Sequence, residues 1–177
     1  PIEVIEECCV KAQELGIVSP ANYNTPQQIV IGGEEQAVDQ AVALLQEQGI
    51  KRMIPLNVSG PFHTAILAPA SEKLAAELKN VAFNEPKIPV ISNTTTEVMT
   101  KERIPILLEQ QVMKPVRFYE SIHRLKEQGI EQVIEVGPGK VLSGFMKKID
   151  KSIPVLRVEN QATFEETMTS IGGMSWS

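Results

Sequence analysis

Long apolar runs and a surplus of basic residues are both missing from this chain of 177 residues. Its longest apolar stretches, such as 29–31 and 65–70, fall far short of the roughly 20 residues that a membrane-spanning helix needs. No membrane span is therefore expected. Lys and Arg number 17 against 22 Asp and Glu, a net charge of -5, which disfavours a nucleic-acid partner. Aromatic residues make up only 5%, so the core has to be built from Ile, Val, Leu, Ala and Met. Cysteine is confined to the adjacent pair Cys8 and Cys9, which cannot make an ordinary disulfide framework. They read as small apolar side chains on a helix, in keeping with a reducing cytoplasm. No HExxH, CxxC, GxSxG, GxGxxG or P-loop pattern occurs. No metal and no permanently bound cofactor is expected.

What is present has the balance of a globular protein, 42% hydrophobic and 22% charged. The chain opens on Pro1-Ile2-Glu3, with no Met and no signal pattern. Ile2, Ile5, Cys9, Ala12 and Leu15 then follow helical spacing at once, the pattern expected of a fragment that begins at a helix. The helix over 2–15 ends at Gly16. A strand over 17–23, interrupted by Pro20, and a strand over 28–31 follow, then a helix over 34–48 and an alternating strand over 51–58. With one strand added in front, this order is the βαββαβ ferredoxin-like unit, so the small subdomain is expected to lack its first strand and to leave an unpaired edge. Beyond Gly60-Pro61 the spacing predicts a helix over 64–79, a short buried strand over 88–91, and helices over 102–111 and 116–128. A strand over 130–136, the turn Gly137-Pro138-Gly139, a helix through Ile149, a strand over 153–158 and a closing helix over 164–171 complete an α/β pattern.

Two histidines are candidates for chemistry. His123 sits among Arg124, Lys126 and Glu127 and reads as a solvated helix residue. His63 lies at a strand-to-helix junction after Gly60-Pro61, where a side chain either packs against the helix or reaches a cleft as a general base. Lys51 and Arg52 are either two solvent-facing cations or a phosphate anchor. Lys147 and Lys148 suit a helix C-terminus. The segment Glu135 to Lys140 reads as strand, tight turn and helix start, with glycines that let the backbone pass close to a neighbour or ligand.

Four segments together resemble one family. Val58-Ser59-Gly60-Pro61-Phe62-His63-Thr64-Ala65-Ile66-Leu67 is similar to the histidine motif of malonyl-CoA:acyl carrier protein transacylases. The run from Pro20 to Ile31 resembles that family's PxNFNxPxQxVI segment, and Gln111 to Phe118 its QxxxPVxW segment with Phe for Trp. Ile134 to Leu142, IEVGPGKVL, resembles its EVGPGKVL turn.

The resemblance implies an α/β fold. Residues 1–59 would form the ferredoxin-like small subdomain and 60–160 the C-terminal part of an α/β-hydrolase-like acyltransferase domain. Residues 161–177 would form a closing helix and an atypical tail. It implies a cytoplasmic enzyme of fatty acid biosynthesis with malonyl-CoA as substrate and acyl carrier protein as partner. His63 would be the general base and Gln111 the residue whose main-chain carbonyl orients it. Lys51 and Arg52 would contact coenzyme A or the carrier protein, and Asn22, Asn24 and Gln28 would face the cleft. Phe62 matches forms that select a malonyl unit. The family's GHSxGE nucleophile elbow is absent from the chain. Its serine, malonyl-gripping arginine and oxyanion segment are expected from an N-terminal segment of the same enzyme, and the chain alone is expected to be inactive. Ser59 and Ser143 stand in the wrong contexts to replace that serine.

Overall fold

The computed structural model describes residues 1–58 and 60–172. Ser59 and the tail 173–177, to which the sequence assigns no role, lie outside the described residues. The chain forms two compact units, Pro1–Ser121 and a second from Ile122 onward.

In the first unit, α1 (Ile2–Ala12) runs into a 3₁₀ turn, and strands β1 (Val18–Thr25) and β2 (Gln28–Gly33) form an antiparallel hairpin ahead of α2 (Glu35–Glu47). Cys9, Ala12, Val18, Ala37 and Ala41 make its core, with Ile5, Ile31, Val38 and Leu44 packed around them. Small side chains at the centre let the two helices lie close to the hairpin, which fits the shortage of aromatics. Cys8 and Cys9 are buried, as expected, and burial pushes the Cys9 thiol up to about 11. Further along, a 3₁₀ turn (Ala65–Leu67) leads into α3 (Ala68–Leu78). α3 packs on α4 (Ile104–Met113), where the buried Ser71 hydroxyl donates to the Glu109 carbonyl at 2.8 Å.

Four expectations for this unit need correction. The strand over 51–58 does not form: these residues carry no helix or strand, and Ile54, Leu56 and Val58 are exposed. Alternation supplies a strand-like face, but no described strand offers the ladder that would hold it. The buried strand over 88–91 is also absent. Ile91 makes a single bridge to Val98, and Ile88 is 73% exposed. Pro89, which has no N–H to give a ladder, sits in its middle. The helix expected from 64 starts only at Ala68, because Thr64 is extended (φ −127°, ψ 162°). Pro20, in contrast, does not interrupt β1. It pairs with Ile31, and an irregularity between Pro20 and Asn22 absorbs the local mismatch.

Helix α5 (Phe118–Glu127) follows, with His123 exposed. The second unit then continues with β3 (Val133–Val136), α6 (Val141–Ile149), β4 (Val155–Val158) and α7 (Gln161–Gly172). β3 and β4 pair in parallel, Val133 opposite Val155 through Val136 opposite Val158, with α6 as the crossover. Gly137 and Gly139 take positive φ in the connecting turn, a conformation that other residues enter at a cost. Glu135, at the end of β3, turns its carboxylate onto the start of α6. It accepts the Leu142 amide at 3.0 Å, the Ser143 amide at 2.9 Å and the Ser143 hydroxyl. The two amides are orphan donors of the first helical turn, where a negative charge is favourable. No helix among the described residues is long and apolar enough to cross a membrane. Among the described residues the elements make an α/β arrangement with two separate two-stranded sheets, one antiparallel and one parallel.

Candidate active site

An α-helix leaves its last four carbonyls without partners inside the helix, and these carry its negative partial charge. At the end of α4 the Gln110 carbonyl accepts the Lys114 amide at 2.8 Å. The next two are taken by one residue from far earlier in the chain. The His63 ring Nδ1 lies 2.8 Å from the Gln111 carbonyl, 48 positions away in sequence, and the His63 amide donates to the Val112 carbonyl at 3.2 Å. His63 caps α4 with both its backbone and its side chain.

That cap decides the tautomer. A carbonyl oxygen can only accept, so Nδ1 must carry the hydrogen and donate it. The side-chain Nε2 of Gln111 is 3.5 Å from the same nitrogen, too far to compete with a 2.8 Å bond. Nε2 of His63 is left with its lone pair, a proton acceptor. The residue is half-buried.

The backbone that delivers the ring is unusual. His63 has φ +62°, in the left-handed region that few non-glycine residues enter. Phe62, just before it, is 54% exposed. Thr64, just after it, is fully buried and donates its hydroxyl to the Pro61 carbonyl at 2.6 Å.

The segment after α4 is tied to the hairpin. Val116 donates to the Ala21 carbonyl at 2.9 Å and accepts the Tyr23 amide at 2.8 Å, a parallel bridge centred on Asn22. Tyr23 in turn donates its hydroxyl to Glu6 at 2.7 Å, and burial together with that carboxylate holds the phenol well above its ordinary range. Arg117 pairs with Glu120 one turn into α5.

His63, Gln111 and the strand bearing Asn22 and Asn24 thus belong to one hydrogen-bonded assembly. Asn24 is buried on that strand, and Asn22 and Gln28 are half-buried. Lys51 and Arg52 stand apart. Both are exposed, lie outside any helix or strand, and form no ion pair among the described residues.

The two readings of His63 left open by spacing are not exclusive, since the ring packs against a helix end and keeps an accepting nitrogen. The Val112 carbonyl and Thr64 carry no signal of their own in the sequence, because both act through contacts that the local pattern does not encode. Among the described residues, no group of three or more His, Cys, Asp or Glu could hold a metal ion.

The chain as a whole has relatives. A family model for the acyl transferase domain matches residues 4–173. A malonyl CoA-acyl carrier protein transacylase of Bacillus subtilis (strain 168) is 44% identical over 165 residues, covering 92% of this chain and 52% of its own length. The protein of the same description from Escherichia coli (strain K12) is 42% identical over 146 residues, covering 82% and 47%. The crystal structure of MCAT from Streptococcus pneumoniae matches with a TM-score of 0.94 at 59% identity, over 96% of this chain and 56% of that one. A malonyl-transacylase solved with its type II PKS acyl-carrier protein matches with a TM-score of 0.90 at 37% identity, over 95% and 55%. The chain spans about half the length of the curated relatives it matches.

Proposed function

The chain belongs to the acyl transferase domain family, and on that footing we propose that it supplies the general base for malonyl transfer from coenzyme A to the phosphopantetheine thiol of acyl carrier protein. The observation that carries this reading is the 2.8 Å contact between His63 Nδ1 and the Gln111 carbonyl, which leaves Nε2 as a proton acceptor.

In the first half-reaction Nε2 takes the proton of a serine hydroxyl while the serine oxygen bonds to the malonyl thioester carbon. The carbon–sulfur bond breaks, and the imidazolium returns the proton to the departing coenzyme A thiol. In the second half-reaction the carrier's thiol gives its proton to Nε2 and attacks the serine ester. The proton then goes back to the serine oxygen. The α4 C-terminus meets the ring with the Gln111 carbonyl and holds the His63 amide with the Val112 carbonyl, and its negative partial charge supports the positive charge that forms during each half. Gln111 does here what a carboxylate does in other triads, orienting the ring, but with partial charge only.

The serine is assigned to a separate N-terminal segment of the same enzyme, since no GHSxGE elbow occurs in this chain. The second reading is a non-catalytic piece that keeps only coenzyme A or carrier contacts. The hairpin with α1 and α2 is read as part of the ferredoxin-like subdomain over 1–59. Residues 60–160 are read as the C-terminal part of the hydrolase-like domain, and 161–177 as its closing helix and tail. Asn22, Asn24 and Gln28 are assigned to the cleft wall, and Phe62 to selection of the unbranched malonyl unit by its bulk. The site is expected to work in the cytoplasm, within fatty acid biosynthesis.

The test is labelled malonyl-CoA incubated with this chain alone and with a separately supplied N-terminal segment bearing the family's serine. Acyl-protein is expected only in the mixture and only on the added segment. Labelling of the lone chain would refute a base without its own nucleophile. Lys51 and Arg52, exposed and without an ion-pair partner among the described residues, are assigned to phosphates of coenzyme A or acidic groups of the carrier. Arg52→Ala is expected to weaken that binding by about three- to fivefold at low ionic strength and less as salt is added. Titration at two salt concentrations reads this; equal affinity in both proteins at low salt retires the assignment.

A further inference from the structure

We infer that Thr64 is a positioning residue: its hydroxyl locks the turn that holds His63 at positive φ, and its methyl keys that turn into Gly32 of the hairpin. The inference rests on the reading of His63 as the base.

Three observations converge on it. Thr64 is fully buried, yet its hydroxyl is spent on the carbonyl of Pro61, three residues back, at 2.6 Å. That bond closes the loop Pro61-Phe62-His63-Thr64 from the inside. His63 sits within it at φ +62°, and Thr64 itself is extended, so the chain reverses sharply between the two. A non-glycine residue at such a φ is strained and persists only where its surroundings over-determine it. The hydroxyl bond and the His63 amide bond to the Val112 carbonyl are the two constraints that do so.

The methyl supplies the third. A Cβ added at Gly32 would lie 3.3 Å from Thr64 Cγ2, closer than ordinary van der Waals contact. Thr64 has no solvent side to retreat to and is tethered at its oxygen. A side chain at position 32 therefore has to push the turn, and with it the ring that must reach the Gln111 carbonyl. Threonine fits because it brings a donor and a methyl on one carbon: serine keeps the first and valine the second.

The two groups separate by substitution. The readout is the ¹⁵N spectrum of the His63 ring in this chain, assigned by its loss in His63→Gln and recorded without any substrate. Thr64→Val, which keeps the shape and loses the donor, is expected to shift the ring from the Nδ1–H form toward the mixture of an unrestrained imidazole. Thr64→Ser keeps the donor and is expected to retain the wild-type ring signals. Gly32→Ala should disturb the ring as Thr64→Val does, and adding Thr64→Ser to it should restore the signals, because the atom it strikes is gone.

A wild-type ring spectrum in Thr64→Val, or an equal loss in valine and serine variants, overturns the hydroxyl's role. If Thr64→Val fails to fold, the Gly32 pair still decides. Failure of Thr64→Ser to rescue Gly32→Ala, or no effect of Gly32→Ala at all, overturns the keyed turn. No step depends on acyl transfer, so a failure of the transferase reading leaves a different mark from a failure of this one.

Discussion

Replacing His63 with alanine is expected to cut malonyl transfer by about 10²–10⁴-fold when the chain is paired with a segment carrying the family's serine, the range in which a positioned acid–base group contributes. The loss should fall on the rate of acyl-serine formation and leave the apparent affinity for malonyl-CoA nearly unchanged, because the ring handles a proton and grips no part of the substrate. Stopped-quench trapping of the acyl-protein measures both. Gln111→Ala makes the informative contrast. The group that orients the ring is a main-chain carbonyl, and it survives the substitution. That variant is expected to lose far less than His63→Ala. An equal loss in the two would place the Gln111 side chain, rather than its carbonyl, in the site.

The second large effect is on stability, at Glu135. Its carboxylate is buried and gathers two amides and a hydroxyl at the start of α6. Removing it by Glu135→Ala strands those donors, and hydrogen bonds to a charged group are worth about 1.5–3 kcal/mol. A loss of about 2–3 kcal/mol corresponds to roughly 30- to 150-fold faster opening. Hydrogen exchange at the Leu142 and Ser143 amides should report that acceleration. Unchanged protection there would contradict the capping role.

The pH dependence follows from opposing effects on the same carboxyl. Burial pushes its pKa up, but the Ser143 hydroxyl, the two amides and Arg157 outweigh burial and hold it below the ordinary range. A carboxylate whose pKa is depressed by folding contributes stability above its unfolded pKa, about 4.3, and loses it as pH falls through the folded value. Wild type and Glu135→Gln should therefore differ most near neutrality and converge in acid.

The parts of the molecule legible in its sequence are those held by contacts near in the chain. α1, the hairpin and α2 follow from apolar spacing and turn residues, and they pack on one another within the first 47 positions. Ile54, Leu56 and Val58 show the limit. Their alternation is a statement about one face, and a strand also needs a neighbouring ladder that alternation cannot supply. His63 stands out because imidazole chemistry and the Gly60-Pro61 break are local signals. Its left-handed backbone, its bond to a helix end 48 residues on and the oxygen of Thr64 stay hidden, since each depends on where other elements pack. Glu135 is hidden in another way. The segment around it draws notice for its glycines, while the residue that makes the turn hold together is the carboxylate before them, reaching seven and eight positions ahead.

The proton on the His63 ring is what the transfer mechanism turns on, and nitrogen chemical shifts of the unsubstituted chain, recorded with the ring neutral, read it directly. Nδ1 should show the shift of a protonated, pyrrole-type nitrogen, and Nε2 that of a bare, pyridine-type one. The opposite assignment, with hydrogen on Nε2, would turn the one lone pair of the ring toward the Gln111 carbonyl and leave none on Nε2 for a serine or a thiol to protonate, so the proposed transfer would have no base.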